Sequence, residues 1–299
     1  MADLLHPAAR RAVESAAGET PAYAPGYDIE ESRRLAREEA LAEPRVPVAE
    51  VRDLDADGVP VRVHRPDGAR AGVLLHLHGG GFVFHDIDVH DNAARRLAVR
   101  SGLSVLSVEY RRPPEHRFPA APDDVDTVLR WLERSREELG LGGPTYVHGD
   151  SAGGNLALVA ALRNPGLFTA VVLVYPFLDP QAAGASYELA DVGFDPREGA
   201  WYWEQYAATA DDLTDPDLAP LLSDRLAGLP PTLVVTAEGD PLRDEGELLV
   251  RRLAELDVPV VGTRYLGQVH GFWRHVDVFD AADALTAQVA GFLALHPES

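Results

Sequence analysis

The chain has 299 residues, 46% of them hydrophobic and 25% charged, enough for one large core or two smaller ones and unlike a disordered chain. It has no cysteine, which excludes disulfides, cysteine nucleophiles, thiolate zinc sites and iron–sulfur clusters. The net charge of -21 disfavours nucleic acid and anionic membrane surfaces as partners, since both demand a basic surface.

The segment Met1 to Pro7 carries neither a basic n-region nor a long apolar run, and no window reaches the length of a membrane span. The expectation is a chain without a secretory leader, placed in the cytoplasm. Residues 1–45 differ in character from the rest of the chain. Pro7 to Ala17 and Asp28 to Ala42 read as two helices, the second highly charged, joined by the turn-rich Thr20 to Gly26. Such a segment is either a solvated extension or a lid docked over a site.

Strand signals begin at residue 46. Val48 to Leu54 and Val59 to His64, separated by Asp55-Ala56-Asp57-Gly58, predict an antiparallel hairpin. Val73 to Leu77 predicts a buried strand that ends in His78-Gly79-Gly80-Gly81, followed by a helix over Asp91 to Arg100. Next come a strand over Leu103 to Val108, a helix over Asp123 to Glu138, and the run Pro144 to His148 that feeds Gly149-Asp150-Ser151-Ala152-Gly153-Gly154. A helix-like run extends from Asn155 to Leu162. Later strands are expected over Ala170 to Tyr175, Thr232 to Thr236 and Val258 to Tyr265, with helices over Leu242 to Leu256 and Val278 to Leu295. The alternation predicts an α/β protein with a mostly parallel sheet covered on both faces. Residues 177–228 are longer than one crossover needs and hold Trp201-Tyr202-Trp203 and Tyr206. Most of these rings are expected to pack the helix, with one or two reaching a pocket.

A serine at a tight strand–turn–helix junction, in a G-x-S-x-G pattern, reads as a nucleophile elbow. Glycines flank it because side chains there would clash with the turn. By itself the pattern is also an ordinary small-residue turn, so it needs partners. A serine hydroxyl requires a base, and the base an orienting acid, in the chain order serine, acid, histidine on this scaffold. Asp240 follows the Thr232–Thr236 strand and His270 follows the last strand, both at carboxyl ends where α/β sheets gather function. Asp179 and Asp244 compete as acids, the latter placed a turn into a helix; His85, His90 and His275 compete as bases. His148 lies within the strand that feeds the elbow and reads as structural. An oxyanion hole needs backbone donors, one from Ala152 and others from the loop His78 to Gly81.

With these residues in place the chain resembles the hormone-sensitive-lipase family of α/β-hydrolases, the bacterial esterases marked by H-G-G-G and G-D-S-A-G. The likeness runs through His78 to Val83, Tyr110-Arg111-Arg112-Pro113-Pro114-Glu115-His116, Gly149 to Gly154, Asp240 to Gly246, and His270-Gly271-Phe272. The resemblance implies a triad of Ser151, Asp240 and His270 and oxyanion donors on Gly80, Gly81 and Ala152. It implies an α/β-hydrolase fold with an eight-stranded sheet, a catalytic domain over 46–299, and a cap built from residues 1–45 and roughly 180–225. It also implies hydrolysis of short- to medium-chain carboxylic esters, with no cofactor and no metal, so that a chelator should leave turnover unchanged. Glu115 and His116 would be structural. His85 in place of a usual glycine, Arg112-Pro113 in place of Leu-Ala, and Gln268 before the histidine depart from the family pattern, and would alter the shape and polarity of the pocket. The alternatives are an amide or N-acetyl hydrolase using the same triad and a non-catalytic receptor on the same scaffold; interfacial lipase action is disfavoured because no exposed apolar lid is evident. The partner expected is a small ester, and monomer and homodimer are both open.

Overall fold

The structure, a computed structural model, describes residues 5–189 and 192–297. The first four residues of the expected cap and two residues of its second part, Ala190 and Asp191, lie outside them. Eight strands form one sheet: β1 (Glu50–Ala56), β2 (Val59–Arg65), β3 (Val73–Leu77), β4 (Ser104–Val108), β5 (Thr145–Asp150), β6 (Ala170–Val174), β7 (Thr232–Gly239) and β8 (Val260–Val269). Their order is β1-β2-β4-β3-β5-β6-β7-β8. β2 pairs antiparallel with β1 and with β4, and every other pairing is parallel. This is the α/β-hydrolase architecture. The expected hairpin is present, with Asp57 and Gly58 both at positive φ, as a tight two-residue turn requires.

The described residues also form eight helices: α1 (Pro7–Ala16), α2 (Ile29–Ala42), α3 (Asp91–Ser101), α4 (Ala120–Ser135), α5 (Ala152–Arg163), α6 (Pro196–Tyr206), α7 (Arg243–Glu255) and α8 (Asp280–Ala294). α4 begins and ends three residues before the range expected for it, Asp123 to Glu138. Alternation along the strands sends side chains to two separate cores. Leu75, Leu77, Val147, Leu173 and Val234 face the core that includes α4, α5 and α7. Leu74, Tyr146, Val172 and Val235 face the one that includes α1, α3 and α8. The central strands are buried on both faces, which is why they read as continuous apolar runs. Among the described residues no helix is long and apolar enough to cross a membrane.

The elbow between β5 and α5 has no spare volume. Ser151 sits at φ 55°, a strained position for a side-chain-bearing residue. A Cβ on Gly149 would collide with the carbonyl of Gly153, and one on Gly153 with the carbonyl of Leu77 in β3. Both obstacles are backbone, which cannot turn aside as a side chain can. Gly153→Ala is therefore expected to cost at least about 3 kcal/mol. Urea denaturation of the variant measures it; a midpoint like that of the parent protein would contradict this account.

Candidate active site

The register of β7 against β8 explains how two distant residues meet. The pairing slips between Ala237 and Gly239, and Gly239 then lies opposite Val269. Such irregularities re-aim the residues beyond them. The next residue on each strand is Asp240 and His270, and their side chains stand side by side. Nδ1 of His270 is 2.9 Å from Oδ2 of Asp240, and Nε2 of His270 is 3.0 Å from Oγ of Ser151. Asp240 is fully buried and its other oxygen accepts from the amide of Leu242 at 2.9 Å. With the carboxylate accepting at Nδ1, the imidazole carries its proton there, and Nε2 is free to accept from the serine hydroxyl. Phe194 stacks on the His270 ring at 5.2 Å, and Tyr175 lies against it at 4.7 Å.

Ser151 donates its backbone N–H to Val174 in β6 and accepts at its carbonyl from the amide of Phe177. Ala152 is the first residue of α5, so its N–H has no partner within the helix. Gly80 and Gly81 border the same cleft as Ser151 and His270, at φ 116° and 59°. Only glycine takes these conformations at little cost, and a Cβ on Gly81 would enter the Tyr202 ring. The amide of Gly79 donates to Oδ1 of Asp150 at 3.1 Å, which ties the glycine loop to the elbow.

The other candidates raised by the sequence stand elsewhere. Asp179 accepts from the amides of Gln181 and Ala183 in its own turn. Asp244 accepts from the amide of Ser186 and pairs with Arg243. His90 and His148 are buried, and His275 adjoins Arg274 on the exposed side. His85 is at φ 62° and borders the cleft, as its departure from the family pattern suggested. Arg112 donates to the His85 carbonyl and pairs with Glu109, so the Arg-Pro replacement acts on the path of this loop. Gln268 does not shape the cleft as expected. It is buried near the end of β8, one residue before Val269, and lies outside the cleft lining.

The cleft above Ser151 has a volume of about 540 Å³. Its walls come largely from two segments remote in sequence. Thr20 to Tyr23, Tyr27, Ser32 and Ala36 line one side; Phe194, Asp195, Glu198 and Tyr202 line another. The segments are joined directly. The Tyr23 hydroxyl donates to Asp195 at 2.9 Å, and the Ala22 amide donates to Glu198 at 3.1 Å. Arg33 of α2 donates to the Val83 carbonyl at 2.8 Å and to the Pro113 carbonyl at 2.6 Å, and pairs with Glu115 at 2.8 Å. Thus Glu115, expected to be structural, anchors α2 beside the glycine loop. In α6, Tyr202 reaches the cleft while Trp203 and Tyr206 pack inward, Tyr206 stacked on Phe82 at 3.8 Å.

Sequence reasoning missed a group beneath this site. His76, His78, His85, His90 and His148 crowd around Asp150, the residue before the serine. Burial holds all five imidazoles below the usual histidine range, and pushes the Asp150 carboxyl up to about 6. The signal available was the alternation His76-Leu77-His78 on a buried strand, where polar side chains are costly.

A family model described as the alpha/beta hydrolase fold matches residues 74–274. An ethyl acetate hydrolase of Pseudomonas putida is 35% identical over 254 residues, 81% of this chain and 80% of that one. The carboxylic ester hydrolase LipN of Mycobacterium tuberculosis is 38% identical over 277 residues, 86% of this chain and 73% of that one. Among solved structures, a hyperthermophilic esterase from the archaeon Pyrobaculum calidifontis superposes with a TM-score of 0.86 at 33% identity, covering 96% of this chain and 97% of that one. The chain belongs to the hormone-sensitive-lipase family of α/β-hydrolases and is a carboxylic ester hydrolase.

Proposed function

We propose that Ser151, His270 and Asp240 hydrolyse short- to medium-chain carboxylic esters through an acyl-enzyme. The observation that carries this reading is the unbroken series Asp240–His270–Ser151, with links of 2.9 and 3.0 Å at the floor of the cleft. Oγ attacks the ester carbonyl as its proton passes to Nε2 of His270. The imidazolium is held by the Asp240 carboxylate. The N–H groups of Gly80, Gly81 and Ala152 receive the oxyanion; one such donor is worth about 2.7–4 kcal/mol of barrier. His270 then gives the proton to the leaving alcohol. Water, deprotonated by His270, attacks the acyl-enzyme through a second oxyanion, and the acid leaves as Ser151 regains its proton.

Residues 1–45 and roughly 180–225 serve as a two-part cap that limits acyl length. Tyr202, Phe84 and Phe194 narrow the cleft with rigid rings. The relative from Pseudomonas putida, named for a two-carbon acyl ester, agrees with a small acyl group. A series of p-nitrophenyl esters of increasing acyl length tests the reading. The kcat/KM is expected to peak between acetyl and medium chains and to fall for long ones, and Tyr202→Ala is expected to move the peak to longer chains. A profile that rises through long-chain esters would overturn the cap assignment.

A further inference from the structure

His76, His90 and Asp150 form a group that the hydrolytic reaction does not use. Each offers a donor atom, and the three atoms lie within 4.8 Å of one another. All three residues are at most 4% exposed. Nδ1 of His90 stands 3.6 Å from Oδ1 of Asp150. Two donors held about 2.1 Å from one ion at a tetrahedral angle are about 3.4 Å apart, close to this spacing.

The remaining nitrogens fit the same arrangement. Nδ1 of His76 is 3.1 Å from Nδ1 of His148, and Nε2 of His90 is 3.4 Å from Nδ1 of His85. In each ring one nitrogen is thereby engaged by a second histidine. The other, Nε2 of His76 and Nδ1 of His90, is buried with no hydrogen-bond partner among the described residues. A ligating histidine characteristically donates its second N–H to an outer acceptor, which fixes the tautomer and aims the lone pair. His148 and His85 stand where such acceptors belong. Leaving two polar nitrogens buried and unpaired is otherwise costly.

We propose that His76, His90 and Asp150 bind one divalent first-row transition ion behind the nucleophile elbow. Two imidazoles and one carboxylate suit zinc, iron(II) or cobalt(II), whereas calcium and magnesium favour all-oxygen sets. Of the three, Asp150 borders the cleft while His76 and His90 lie behind it, so the ion is assigned a structural role and no part in ester chemistry. It would join β3, the start of α3 and the end of β5, three segments separated in sequence that together carry the glycine loop and Ser151.

The site is closed to solvent, so loading belongs to folding. Tag-free full-length protein is to be produced in medium supplemented with zinc, iron or cobalt, and separately refolded from urea with cobalt(II). After dialysis, elemental analysis is expected to return about one ion per chain. The cobalt form is expected to show the visible bands of a low-coordinate centre and a raised melting temperature. His90→Gln and Asp150→Asn are expected to lose the ion and the bands. Should those variants fail to fold, anomalous diffraction from the unaltered protein locates the ion directly, with the peak expected between the three side chains. Substoichiometric metal by both routes would overturn the proposal, as water then fills the space. So would a peak elsewhere, or folded variants that retain the ion.

Discussion

Replacement of Ser151 by alanine is expected to lower kcat for p-nitrophenyl butyrate by about a millionfold, the loss typical when a triad serine is removed. Among the described residues, the only hydroxyl bonded to Nε2 of His270 is Oγ of Ser151, at 3.0 Å. The proposed oxyanion donors are backbone groups that would survive the change, so a small residual rate over water is expected. The fold is expected to persist, because the elbow is held by glycines and by the Ser151 backbone bonds to Val174 and Phe177. Circular dichroism and a thermal melt check that persistence, and a fluorophosphonate probe should label the parent protein and spare the variant. Turnover within about a hundredfold of the parent, in a folded variant, would remove Ser151 from the nucleophile's role.

Asp240→Asn is expected to lower kcat by about ten thousandfold with little change in KM. The reason is specific to the two bonds this carboxylate makes. One oxygen accepts from the Leu242 amide and the other from Nδ1 of His270. An asparagine that keeps its oxygen toward Leu242 must present its NH2 to the imidazole. The ring then takes the opposite tautomer, with a proton on Nε2 facing Ser151, and can no longer accept the hydroxyl proton. Asp240 does not border the cleft, so substrate contacts are unchanged. Asp179→Asn serves as the comparison and should be near parental. The reverse pattern, with Asp179 essential and Asp240 dispensable, would reassign the acid.

Much of this arrangement is legible from residue order. The central strands announce themselves as short apolar runs because both faces are buried, and the elbow because its glycines admit no Cβ. Asp240 and His270 can be named because each follows a strand. The bulge that brings them together is a pairing property and leaves no mark in either strand alone. The place of Gln268 outside the cleft lining departs from expectation, and which face a strand residue takes depends on pairing that a single strand does not display. The ties between Arg33 and Val83 and between Tyr23 and Asp195 cross 50 and 172 positions, and single-chain patterning carries no sign of them. The histidine cluster is hidden differently. Its members are scattered from 76 to 148, and their spacing in the chain carries no sign that they meet.

The glycine contacts around Ser151 have a consequence for redesign. The frame that holds the Ser151 side chain is built almost wholly from main chain: a strained turn and glycines packed against carbonyls. The walls of the cleft are built from side chains, above all Phe84, Phe194 and Tyr202. Substrate range and reactivity therefore occupy separate parts of the chain. A library that randomises Phe84 and Tyr202, and keeps Phe194 on the His270 ring, can change which ester enters with little disturbance to how it is cleaved. One that randomises 149–154 would yield mostly unfolded protein.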